Sequence, residues 1–184
     1  MKEYDCIDNT KIGVAMLKID NKYALVNQLD EVISPKRYNW AKPFKGGFVV
    51  EIDKKWGVID KTGRELTPMK YDMIHPFNEG FAEVRLNDKC GFINEKGEEV
   101  LAPKYGWINN FYEGFALVEL NGKYGFINLE RKEAIPIKYD HAWHFYKGFA
   151  QVKINDTWIY VNPKGEEFML HRDQKGNEFM SNWQ

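Results

Sequence analysis

The sequence has little of what disulfide cross-linking, nucleophilic catalysis or membrane insertion requires. Its 184 residues include two cysteines, Cys6 and Cys90. A secreted disulfide scaffold carries more, so both are read as reduced. Cys90 stands where sister segments hold an aromatic, which assigns it to the core. There are two serines, Ser34 and Ser181, and neither lies in a nucleophile motif. No P-loop, dinucleotide fingerprint or zinc motif occurs, so the sequence calls for no cofactor or metal and no enzymatic activity. No apolar run approaches the ~18 residues that span a bilayer. The N-terminal stretch "MKEYDCIDNTKIG" has charges where a signal peptide needs apolar residues, so a cytoplasmic location is expected. Neither sign of charge is in excess, with 26 basic against 27 acidic residues. Electrostatics therefore supply no reason to expect nucleic acid or a membrane surface as partner.

What is present is a period. Glycines fall at Gly13, Gly47, Gly80, Gly114 and Gly148, in steps of 34, 33, 34 and 34 residues. Nine residues before each stands a tyrosine: Tyr4, Tyr38, Tyr71, Tyr105 and Tyr139. After each glycine comes an alternating segment such as "FALVEL", in which Ala116, Val118 and Leu120 share one side. That is strand periodicity. Asn121-Gly122 is a strong signal for a two-residue hairpin turn with positive φ at both positions. Asp20-Asn21, Asp53-Lys54, Asn87-Asp88 and Asn155-Asp156 are its equivalents. The Asx residues tolerate that geometry, and Lys54 strains it slightly. Such a turn pairs Leu120 with Lys123 and Val118 with Gly125.

Gly57, Gly91 and Gly125 share one column inside the second strand. Glycine there marks a close backbone approach. The preceding column, Tyr23, Trp56, Cys90, Tyr124 and Trp158, points to the other face and fills the gap between successive hairpins. Gly63, Gly97 and Gly165 serve a following tight turn. Segments around Pro35, Pro68, Pro103 and Pro136 come next. Proline cannot donate to a ladder, so these are edge strand or extended coil.

The stretches "KKWGVIDKTGRELTPMKYD", "KCGFINEKGEEVLAPKYG" and "KYGFINLERKEAIPIKYD" resemble WG repeats, the family named for a Trp-Gly pair. Only Trp56-Gly57 keeps the literal pair; Tyr23-Ala24 and Trp158-Ile159 lose the glycine. The resemblance implies a β-rich repeat protein of a kind common in bacteria, acting as a binding or scaffold module, with no catalytic residues to carry over. The expected fold is all-β, about five antiparallel hairpin units in an open twisted, solenoid-like array; a closed, propeller-like ring is the alternative. The whole chain, 1–184, is read as a single repeat domain. Its units are 14–47, 48–80, 81–114, 115–148 and 149–168, with a starting half-unit at 1–13 and a divergent tail at 169–184.

Candidate sites sit in the columns after each tyrosine. Two residues on lie Cys6, Trp40, Met73, Trp107 and His141. Four on lie Asp8, Lys42, His75, Asn109 and Trp143. The column between them is apolar throughout: Ile7, Ala41, Ile74, Ile108 and Ala142. Alternation sends that column inward and its neighbours outward. Trp40, Met73, Trp107, His141 and Trp143 are then either an aromatic ridge for a protein partner or packing between repeats. His141 and His144, three apart on a strand, face opposite sides and make no metal pair. The Tyr-Asp pairs give way to Tyr38-Asn39 and Tyr105-Gly106, which suits a local turn better than acid–base chemistry. Glu79 and Glu113, replaced by Gly46 and Lys147 in sister units, are read as solvated loop. The expected function is a non-enzymatic protein-binding or scaffold module, such as a bacterial adaptor, immunity protein or defence component. The alternative is glycan or cell-wall binding through aromatic side chains.

Overall fold

The computed structural model of the chain describes residues 6–7, 14–29, 31–34, 36–175 and 177–183, with the side chains of Cys6 and Ile7 left aside. Tyr4, Asp8, Gly13, Pro35 and the outward face assigned to Cys6 lie outside the described residues. No helix occurs among the described residues. Among the described residues the strands form five separate antiparallel sheets, none closed into a barrel. The chain divides into two compact bodies, Met1–Pro103 and Lys104–Gln184.

In the first body, sheet one holds β1 (Cys6–Ile7), β2 (Val14–Ile19) and β3 (Lys22–Asn27). Sheet two holds β4 (Trp40–Phe44), β5 (Gly47–Ile52) and β6 (Lys55–Asp60). Sheet three holds β7 (Met73–Ile74), β8 (Phe81–Leu86), β9 (Lys89–Asn94) and β10 (Glu99–Tyr105), of which Lys104 and Tyr105 are counted with the second body. In the second body, sheet four holds β11 (Trp107–Tyr112), β12 (Phe115–Leu120), β13 (Lys123–Asn128) and β14 (Glu133–Tyr139). Sheet five holds β15 (His141–Ala142), β16 (Ala150–Ile154), β17 (Thr157–Val161), β18 (Glu167–Arg172) and β19 (Glu178–Asn182).

Each sheet is centred on the hairpin expected from the sequence. Leu120 pairs with Lys123 and Val118 with Gly125. The turn residues have positive φ at both positions, from Asp20 at 50° and Asn21 at 63° to Asn155 at 48° and Asp156 at 62°. Lys54 is held there too, at 64°. A side chain in that region costs roughly 1 kcal/mol, so Lys54→Gly should raise stability by about 0.5–1 kcal/mol in urea denaturation.

The closing residues of each sequence unit add a strand to the next hairpin, so the sheets run across the sequence-drawn unit boundaries. Tyr112 pairs with Phe115 across a second turn, Glu113-Gly114, whose φ values are 50° and 86°. Glu79-Gly80 and Lys147-Gly148 repeat it. Another column ends each hairpin. Asn94 Oδ1 accepts from the amides of Lys96 and Glu98, and Asn128 Oδ1 from those of Glu130 and Lys132. Asn27, Asp60 and Asn162 do the same. Asp173 does it once more between β18 and β19, so the divergent tail is a hairpin built with the same loop chemistry.

The proline segments lie where expected. β10 with Pro103 and β14 with Pro136 are both edge strands. They cross over the strand glycines. A Cβ on Gly91 would lie 2.4 Å from the Leu101 carbonyl oxygen, and one on Gly125 2.7 Å from Ile137 Cα. Cores form between successive sheets. Phe48, Val50 and Ile59 of sheet two pack with Met16, Leu25 and Tyr38, and Val49, Val58 and Tyr71 with Ile74, Val84 and Ile93. In the second body Leu117, Phe126 and Tyr139 pack with Val152, Ile159 and Val161. Tyr23, Trp56 and Tyr124 cover these clusters as half-buried side chains, and Cys90 is a free thiol, buried. Trp158 is different. It stays 40% exposed and meets the edge of the His141 ring.

Candidate functional site

Alternation sets the faces as expected. Ala41, Ile74, Ile108 and Ala142 are buried, whereas Trp40, Met73, Trp107, His141 and Trp143 are exposed. Each outward column continues across its sheet. Trp107 pairs with Glu119, which pairs with Tyr124. Trp40 pairs with Glu51, which pairs with Trp56. The corresponding rows elsewhere are Met73, Arg85, Cys90 and His141, Lys153, Trp158.

The second body brings three of the five candidate residues together. Trp107, His141 and Trp143 line one open cavity of about 550 Å³, with Asn109, Glu119, Tyr124 and His144, above Leu117 and Ala142. Trp107 is 42% and Trp143 54% exposed. The rings form a chain: Tyr124 and His141 are 5.4 Å apart, and His141 and Trp143 5.4 Å. His144 lies 4.4 Å from the Tyr112 ring. In the first body Trp40 lines a different cavity, of about 390 Å³, with Phe44, Phe77, Lys42 and Lys45; Met73 is not part of its lining. Trp40 also rests on Trp56, with ring centroids 4.7 Å apart.

Local structure explains the cavity's shape. β11 is bulged between Ile108 and Phe111. Asn109 keeps the outward side that alternation assigns it and lines the cavity at this bulge, its Oδ1 accepting from the Asn110 amide. β15 is only two residues long, although the Trp143 amide still donates to the Gln151 carbonyl. His144 lies past that ladder, so it lines the same cavity as His141 instead of facing the other way. Strand alternation does not extend beyond the strand. Among the described residues no group of three or more His, Cys, Asp or Glu side chains could hold a metal ion.

Two carboxylate readings change. Asp72 and Asp140 do not serve a local turn. Asp140 Oδ2 accepts from the Asn155 amide in the next hairpin's turn while Oδ1 takes the Lys123 ammonium, and Asp72 does likewise with Asn87 and Lys55. Asn39 keeps the turn contact, its Oδ1 accepting from the Asp53 amide at 3.3 Å, and a strand glutamate caps the same turn; where Gly106 replaces the aspartate, a strand glutamate caps the turn instead. Glu51 accepts from the Lys54 amide and Glu119 from the Gly122 amide. Nor is Glu113 merely solvated, because its two oxygens accept from the Lys147 and Gly148 amides at 2.8 Å each.

The lysine hydrogen bond first, with the turn amide adding to it, holds the Asp72 and Asp140 carboxyls below the usual range. A lowered folded-state pKa contributes stability that is complete above the unfolded value, about 3.9, and is lost as pH falls through the folded value. Asp140→Asn should therefore lower the melting temperature most at neutral pH. The gap to the unaltered chain should close progressively as pH falls below the unfolded value, as read by thermal melts along a pH series.

The buried tyrosines tie repeat to repeat. Tyr71 donates to Glu99 Oε1 at 2.8 Å, which Lys70 also contacts, and Tyr139 donates to Glu167 Oε1 at 2.6 Å, which Lys138 contacts. Burial first, and the carboxylate second, push both phenols upward, so they remain donors.

These features define an all-β tandem-repeat domain whose outward columns form side-chain-lined cavities. Residues 23–55, 56–90, 91–124 and 124–158 each match the family model described as WG containing repeat, and the chain belongs to that family. No curated protein matches the chain. Solved structures similar to it include Hsv2 of Kluyveromyces marxianus, with 8% identity, a TM-score of 0.40 and coverage of 94% of this chain and 82% of that one. Hsv2p of Kluyveromyces lactis gives 9% identity, a TM-score of 0.37 and the same two coverages, 94% and 82%. The AfRom2 CNH domain gives 11% identity, a TM-score of 0.33 and coverage of 99% and 80%. The fold assignment rests on the repeat itself.

Proposed function

We propose that this WG-repeat chain is a non-enzymatic, cytoplasmic recognition module that binds another protein through the cavity of its second body. One observation carries the reading. Trp107 and Trp143, both large and both exposed, stand with Tyr124, His141 and His144 around one concave surface. Exposing that much aromatic area to water is unfavourable unless something covers it, and Trp, Tyr and His around a concave patch match the composition of interface cores. An adaptor, a bacterial immunity protein or a defence component would each use such a surface.

The test compares the unaltered chain with a Trp107→Ala, Trp143→Ala double variant, matched for folding by circular dichroism. Proteins retained from source lysate are quantified by mass spectrometry. The expected result is a defined partner whose recovery falls about tenfold or more with the variant. Equal recovery of every protein removes the cavity as the docking site.

A second reading, glycan binding, is favoured by Asn109 and Glu119 standing beside the rings, as polar groups do beside a sugar face. A saturable shift in tryptophan fluorescence with one of a panel of glycans is expected on that reading, and no shift with any of them dismisses it.

A further inference from the structure

We propose that the cavity of the second body receives an arginine side chain of the partner, its guanidinium set against the rings and against the Glu119 carboxylate. This rests on the reading of the cavity as a protein-docking site and names the chemistry of the group docked.

The argument begins with the cross-strand row. Trp107, Glu119 and Tyr124 are directly paired neighbours, which places one carboxylate between two aromatic side chains on the cavity wall. Among the described residues Glu119 is the only carboxylate in that wall, and no lysine or arginine lines it. Glu119 Oε1 caps the turn by accepting from the Gly122 amide. Oε2 lies over Gly106, where a Cβ would come within 2.1 Å of it. Glycine at 106 is what makes room for the carboxylate in that position. One oxygen is thus committed to the turn, and the second lies over Gly106, on a residue that lines the cavity.

Two of the rows set a glutamate between Trp or Tyr rings. Trp40, Glu51 and Trp56 repeat the pattern, whereas the rows headed by Met73 and His141 have Arg85 and Lys153 at the centre. In the first body the slot is closed, because Trp40 and Trp56 are in ring contact and the cavity beside Trp40 is lined by Lys42 and Lys45 and not by Glu51. The second body keeps the slot open. A negative group between electron-rich ring faces selects a cation. Arginine suits it better than lysine, because its planar fork stacks on a ring while donating to a carboxylate.

The probe is N-acetyl-arginine amide, set against N-acetyl-citrulline amide, which has nearly the same shape and no charge. Both are titrated into the chain with the indole N–H signals of Trp107 and Trp143 followed by NMR. The expected result is a saturable shift of both signals by the arginine probe at about tenfold lower concentration than by the citrulline probe. Glu119→Gln retains an acceptor for the Gly122 amide and should erase most of that difference. Equal shifts from the two probes, or an undiminished difference in Glu119→Gln, would overturn the assignment. Should partner capture still depend on Trp107 and Trp143 in that case, the docking reading stands and only the arginine assignment fails. A discriminating probe with partner capture unaffected overturns the docking reading instead.

Discussion

Gly91→Ala is expected to cost about 3 kcal/mol of stability, and Gly125→Ala a similar amount, whereas Gly57→Ala should cost under about 1 kcal/mol. All three glycines share one column of the repeat, so the difference lies in what crosses over them. The new Cβ at Gly91 would meet only backbone: the Leu101 carbonyl oxygen at 2.4 Å and the Pro103 nitrogen at 2.7 Å. At Gly125 it would meet Ile137 Cα at 2.7 Å and the Ile135 carbonyl oxygen at 2.8 Å. Backbone in an edge strand cannot swing aside without giving up its ladder. At Gly57 the nearest atoms are Met69 Sδ at 2.5 Å and Cε at 2.9 Å, the far end of a flexible side chain. Methionine repacks at little cost. Urea denaturation of the three variants checks the order. Equal losses at Gly57 and Gly91 would show that glycine serves something other than close approach.

Tyr139→Ala should cost about 4 kcal/mol, and Tyr139→Phe only about 1–2 kcal/mol. The ring is fully buried in the core of the second body, so truncation leaves a cavity that the strands around it cannot collapse to fill. Loss of the hydroxyl alone removes one donor from Glu167. That carboxylate keeps Lys138 at 2.9 Å, so it is not left uncompensated. The split between the two variants separates packing from the tie that the phenol makes to the next repeat. A Tyr139→Phe loss as large as that of Tyr139→Ala would place the energy in the hydrogen bond. Glu167→Ala, which removes the acceptor, should then reproduce it.

The repeat, its hairpins and their turn residues were legible because each has a strong local signal. Asn121-Gly122 states its turn, and the Tyr38, Tyr71, Tyr105 and Tyr139 column states its period. The glycine column was legible as a close approach, and the proline segments as edges, since both follow from what those residues cannot do. Other features were harder to read. β7 and β15 have two residues each, so alternation set their faces but did not show that the closing segment pairs with the next hairpin. The Asn27, Asp60, Asn94, Asn128 and Asn162 column was in plain sight as aligned Asx residues and would have given the loop chemistry. The capping by Glu113 and Glu119 had no such signal. A carboxylate that reaches into another turn looks, in sequence, like any exposed glutamate. For the site, alternation sorted Trp107, His141 and Trp143 outward. It placed Asn109 on that side too, but it could not bring in His144, which depends on a strand that ends early.

The measurement that bears most directly on the cavity as a recognition surface is site-specific photo-crosslinking in the cells that make this chain. Benzoylphenylalanine is placed singly at position 107, at 143, or at 129, where Leu129 is half exposed and outside the cavity. Positions 107 and 143 should capture one and the same protein while position 129 captures none of it. Capture of that protein at 129 with none at 107 or 143 would contradict a docking site in the cavity.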